Sequence, residues 1–135
     1  MSLFGAFDIS ASGIDAAQTW INATAGNIAN ANDVAPISGD AYQQQTPVYE
    51  PTTSLPDGAG DGVAVAGIDL GSAAGIVESD PESALANSQG LVRVPDVSMA
   101  GQLVDLVEAQ NYYQANTAAM ERAKTAYQAA LTLGQ

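Results

Sequence analysis

MAGQLVDLVEAQNYYQANTAAMERAKTAYQAALTL, residues 99–133, contains no proline, one early glycine, and residues mostly from the strong helix-forming end of the propensity scale. It predicts a single long helix from Met99 to Leu133, capped by Asp96 or Ser98 and stopped by Gly134 just past its end. Apolar side chains fall at Leu103, Leu106, Tyr113, Met120, Tyr127 and Leu131, spacings of three, four and seven that keep them on one stripe. At 1.5 Å per residue such a helix is a rod of roughly 50 Å, longer than a compact domain of this size usually holds. A stripe of that length needs a partner.

The partner is expected at the other end of the chain. Phe7, Ile14, Ala17, Ile21, Ile28 and Ala31 follow the same seven-residue pattern, which predicts a second helix from Phe7 to about Asn30, before turn-forming residues and Pro36. It would span about 24 residues, or roughly 36 Å. Even fully paired, the longer helix keeps part of its stripe uncovered, and an uncovered apolar strip marks an association site. The expected class is therefore α+β: two long terminal helices forming an antiparallel coiled-coil-like pair, with a small β-rich insert between them. The division follows as residues 1–32, 33–98 and 99–135.

Charge supports that division. Of the net charge of -12, residues 32–98 carry ten acids against Arg93, whereas residues 1–31 carry two acids and residues 99–135 three acids against Arg122 and Lys124. So acidic a middle repels phosphate backbones and anionic lipid, which disfavours nucleic acid and membrane surfaces as partners. The chain has no cysteine, hence no disulfide and no thiolate metal site. The start MSLFGAFDIS lacks the basic residue of a secretory signal, and no stretch approaches the roughly 20 apolar residues of a membrane span.

Within the middle, residues 42–49 read as an edge strand because Pro47 cannot donate to a central ladder. Glu50 to Gly62 reads as an exposed connection. Val63, Val65, Ile68 and Leu70 predict a strand with a bend or bulge at Gly67, Ile76 and Val77 add a short one, and Leu91–Val94 a last one ended by Pro95.

Chemistry is sparsely represented. With neither histidine nor cysteine, the usual proton shuttle and the soft nucleophile are missing. Asp57 with Asp61, and Asp80 with Glu82, lie in turn-like sequence with nothing apolar around them to shift a pKa, so solvated acids outweigh a catalytic pair. Asp57-Gly-Ala-Gly-Asp61-Gly62 has the first, fifth and sixth positions of a calcium loop, but Ala59 fills the third and Ile68 the twelfth. A hairpin tip is the better reading. Asn22-Ala-Thr24 fits a glycosylation tripeptide yet lies inside a helix, and Tyr113, at helical spacing from Leu106 and Met120, reads as packing and not as half of a ligand-stacking pair with Tyr112. No catalytic residue, cofactor or metal ligand is assigned, and an enzyme is not expected.

Several short signatures nevertheless occur together. Asn27-Ile-Ala-Asn30-Ala-Asn32 closes the first helix, and Tyr113-Gln114-Ala-Asn116 lies inside the last. Asp80-Pro81, Ala86, Gly90, Val92, Pro95 and Val97 precede the last helix, Leu131-Thr-Leu-Gly134 ends it, and Met1-Ser-Leu-Phe4, Asp8-Ile-Ser10 and Ser12-Gly13 open the chain. Together these resemble the rod, hook and hook-associated axial proteins of the bacterial flagellum, and among them the FlgC type of proximal rod protein. Leu91, Asp96 and Asn111 depart from that pattern, standing where an aromatic, an asparagine and an arginine are common.

The resemblance implies a structural subunit of the flagellar basal-body rod, located in the periplasm and exported by the flagellar type III apparatus without a cleaved signal. It implies helical assembly with copies of itself and with other rod proteins, through terminal helices that form the inner layer of the shaft. Phe7, Ile14, Ile21 and Ile28 on one helix, with the six stripe residues of the other, are then the expected subunit interface. The alternatives are another axial flagellar component, or a small secreted acidic enzyme or calcium-binding module.

Overall fold

A computed structural model describes residues 3–53 and 60–133. The element order is α1 (Leu3–Asn30), β1 (Gln45–Thr52), β2 (Gly62–Leu70), β3 (Ile76–Ser79), β4 (Leu91–Val94) and α2 (Met99–Leu133). The architecture is α+β, with two two-stranded sheets between the terminal helices, β1 with β2 and β3 with β4. Both helices arise where the seven-residue pattern placed them. The first begins four residues earlier than its first stripe residue, and the second runs over the expected 35 residues.

Ser98 is the cap of α2. Its hydroxyl accepts from the Gly101 N–H at 3.2 Å and its carbonyl accepts from Gln102 N at 2.9 Å, which satisfies amides that a helix start leaves without an internal partner. The other end of that helix, at Gly134, and Asp57 of the would-be calcium loop lie outside the described residues.

The strands differ from expectation in one place. β1 runs from Gln45 to Thr52, three residues later at each end than expected; before it, the Tyr42 hydroxyl donates to Asn27 and the Gln43 amide donates to Gly71 O at 2.6 Å. Pro47 and Pro51 are both accommodated in β1, since a two-stranded ribbon needs ladder bonds on one side only. β2 runs unbroken for nine residues, and a side chain at Gly67 would meet nothing within 4 Å, so this glycine relieves no close approach.

The chain divides into two compact units, each drawing on both helices. The first comprises Met1–Ile21, Pro47–Gly67 and Val107–Gln135. Here α1 and α2 run antiparallel: Gly13 abuts Asn116, and the Trp20 and Tyr112 rings lie 5.9 Å apart at 45°. The Ser12 hydroxyl donates to Ile9 O at 2.8 Å and accepts from Val63 N at 3.1 Å, which pins the start of β2 to α1.

The second unit comprises Asn22–Thr46 and Ile68–Leu106. β3 and β4 pair antiparallel from Ile76 opposite Val94 to Ser79 opposite Leu91. Arg93 ties the loop after α1 to that sheet. Its backbone bridges to Ala35, and its guanidinium Nη2 donates to Ile37 O at 3.0 Å. Gly75, at φ +54°, sits where a Cβ would collide with Val94 O, so only glycine suits the entry to β3.

Candidate functional site

The burial pattern of the two helices sets out the candidate surface. In α1 the covered positions are Ser10, Ala17 and Thr24, spaced by seven, joined by Ala23 and Asn27. In α2 the corresponding row is Gln102, Ala109, Asn116 and Ala123, again spaced by seven, with Gln102 and Ala109 buried. These rows are small or polar. Small side chains let helix backbones approach closely, and Gly13 against Asn116 shows the tightness: a Cβ on Gly13 would stand 2.5 Å from Asn116 Oδ1.

The large apolar residues occupy the neighbouring row. Ile14, Ile21 and Ile28 each stand four residues after a residue of the covered row in α1, and Leu106, Tyr113, Met120 and Tyr127 stand four after one in α2. A step of four residues at 100° each leaves a row about 40° round the helix. Phe7, Ile14, Ile21, Ile28, Leu106 and Met120 are accordingly half-buried, while Leu103, Tyr113, Tyr127 and Leu131 are exposed. The period was legible in the sequence. The row that faces inward was not, because burial of a Gly, Asn or Gln depends on a partner that the periodicity of apolar residues does not reveal.

Asn27, in the first family signature, is 1% exposed and fully hydrogen-bonded. Its amide nitrogen donates to Gln45 O at 2.9 Å and to Gln102 Oε1 at 2.8 Å, and its oxygen accepts from Gln45 N at 2.8 Å and from the Tyr42 hydroxyl at 3.0 Å. That exhausts the capacity of an amide side chain. One residue thus ties the last turns of α1 to the start of β1 and the first turn of α2. Asn30 by contrast bonds within its own helix, to Gly26 O at 2.8 Å. In the second signature, Asn116 bonds back to Tyr112 O and receives Gly13, Gln114 is exposed, and the tyrosine whose ring lies beside Trp20 is Tyr112. Gln102, Tyr42 and Gln45 were not legible as partners of Asn27, since they come from three separate segments.

In the first unit, Ile9, Ala16, Trp20, Tyr49, Val63 and Tyr112 line an open apolar groove of about 700 Å³. The Tyr49 hydroxyl donates to Ala16 O at 3.3 Å, and burial raises its pKa above the ordinary tyrosine value. Among the described residues, no cluster of three or more metal-ligating side chains occurs, and no helix is long and apolar enough to cross a membrane.

Besides Pro95, the buried apolar set among the described residues is Ala17, Ala23, Ala41, Val92 and Ala109, four alanines and a valine. Leu103, Val104, Val107, Tyr112, Tyr113, Tyr127 and Leu131 of α2 are all exposed. In α2 the small side chains are thus the covered ones and most of the large apolar ones are exposed.

Comparison with known proteins gives this surface a context. Residues 88–133 match the family described as Flagellar basal body rod FlgEFG protein C-terminal. Over 135 residues, covering 100% of both chains, the sequence is 34% identical to Flagellar basal-body rod protein FlgC of Yersinia enterocolitica and 33% identical to that of Escherichia coli O6:H1. The FlgC protein of Borreliella burgdorferi is 25% identical over 151 residues, covering 100% of this chain and 99% of its own.

Proposed function

The chain belongs to the FlgC family of flagellar basal-body rod proteins, and from that membership we propose that it is a structural subunit of the rod, assembled helically through its terminal helices into a torque-transmitting shaft. Residues 1–32 and 99–135 form the helical core in this reading, paired as an antiparallel coiled-coil-like unit, and residues 33–98 form an acidic β-rich insert. The subunit reaches the periplasmic rod through the flagellar type III export apparatus, without a cleaved signal, and contacts copies of itself and other rod proteins.

The observation that carries this reading is the row of large apolar side chains left outside on α2, with Leu103 50% and Leu131 53% exposed. Covering such a row with neighbouring subunits gains about 1.5–3 kcal/mol per large side chain fully buried. Many moderate contacts of that kind suit a shaft that must transmit torque without any one joint dominating. Most of the net charge lies in the middle of the sequence, which leaves the helices where subunits meet nearly neutral.

Leu106→Asp and Met120→Asp test the reading. In a flagellated bacterium that depends on this chain for its rod, either variant is expected to abolish swimming and rod assembly. The purified variants should keep the circular dichroism spectrum of the parent. Normal swimming with either substitution would remove the α2 row from the interface.

A further inference from the structure

We propose that the apolar groove of the first unit is the receptor for the C-terminal end of α2 from a second copy of this chain. The proposal rests on the self-assembly reading above and names the contact that would propagate it.

The donor is identified by its length and charge. In the first unit, where Gly13 lies against Asn116, ten residues precede Gly13 in α1 while seventeen follow Asn116 in α2. The antiparallel pair therefore leaves about seven residues, roughly 10 Å, of α2 beyond the start of α1. Every residue from Lys124 to Thr132 is exposed, including Tyr127 and Leu131. The segment 122–133, RAKTAYQAALTL, holds two of the three basic residues of the whole chain and no acid, in a protein of net charge -12.

The receptor complements it. Among the described residues no charged side chain lines the groove, whose walls are Ile9, Ala16, Trp20, Tyr49, Val63 and Tyr112 with small residues between them. Its flanks are acidic: Asp8 and Asp15 stand next to Ile9 and Ala16 in sequence, Asp61 lies between Gly60 and Gly62, and residues 1–21 and 47–67 contain no basic residue. Tyr127 and Leu131, four apart on one helical face, supply the apolar knobs for the floor, while Arg122 and Lys124 reach the acidic rim. Donor and receptor are different surfaces of one chain. The contact is therefore heterologous, and one that does not close on itself generates an open helical array.

Trp20 is the only tryptophan and lines the groove, so its emission reports occupancy directly. The chain also has no cysteine, so single cysteines can be placed at will. Full-length Leu131→Cys and Ala16→Cys chains, mixed under oxidising conditions, should yield a crosslinked pair several-fold in excess of an Ala16→Cys and Leu85→Cys mixture, Leu85 being exposed but outside the first unit. Trp20 emission should move to the blue as particle mass rises with concentration, and Leu131→Asp should weaken association at least about tenfold. Assembly with unchanged Trp20 emission and no excess of the Leu131–Ala16 crosslink would overturn the groove contact while leaving self-assembly intact. A chain that stays monomeric at every concentration would overturn both.

Discussion

Replacing Asn27 by alanine is the most demanding perturbation of the second unit. Alanine removes four hydrogen bonds of 2.8–3.0 Å and strands Gln102 Oε1, both backbone groups of Gln45 and the Tyr42 hydroxyl. Gln102 is only 4% exposed, so its loss of a partner costs about 1–3 kcal/mol, the penalty for an unsatisfied buried group. The three half-buried groups rehydrate in part and cost about 0.5–1 kcal/mol each. The expected total is about 2.5–6 kcal/mol, a range that breaking a buried hydrogen-bond network can reach. Asn30→Ala removes one bond within its own helix and gains helix propensity, so it should cost at most about 1 kcal/mol. Urea denaturation followed by circular dichroism measures both, with an unchanged slope showing that the unfolded state is comparable. Equal costs for the two substitutions would refute the assignment of Asn27 as the tie between α1, β1 and α2.

Three further outcomes follow from the same geometry. Asn27→Asp replaces two donors by an oxygen facing Gln45 O; burial there favours the neutral acid, so the folded-state pKa lies above the unfolded value and stability should fall as pH rises through about 4, as pH-dependent urea titration would read. Gly13→Ala pushes a methyl group into Asn116 and should cost about 1–3 kcal/mol, whereas adding Asn116→Ala should recover much of it; thermal melts of the single and double variants measure the recovery. Burial raises the pKa of Tyr49, so ionising it opposes folding: stability should decline above pH about 10, and Tyr49→Phe should flatten that decline in alkaline denaturation curves.

The helices and the last strand were legible for definite physical reasons. Residues 99–133 combine high propensity with a sustained period and a serine cap, and Pro95 ends β4 because it has no N–H to pair. The bounds of β1 were not legible because the backbone at its start takes distant partners, Asn27 for Gln45 and Gly71 for the Gln44 carbonyl. The apolar stripes were found at the right period but assigned to the intramolecular pairing, when the residues that pair within each unit are Gly13, Trp20 and Asn27 with Asn116, Tyr112 and Gln102. A search for large apolar residues passes over such positions. It finds instead the neighbouring rows of large apolar side chains, which is why those rows emerged from the sequence before their inward-facing counterparts.

The central claim is that the row containing Tyr113 and Met120 is covered when subunits assemble. Oxidative footprinting of the free chain and of the same chain in isolated basal bodies, read by mass spectrometry, tests it directly. The account predicts that Tyr113 and Met120 become strongly protected on assembly, while Asn27, already buried, shows no change. Equal labelling of Tyr113 and Met120 in the free and assembled protein would contradict it.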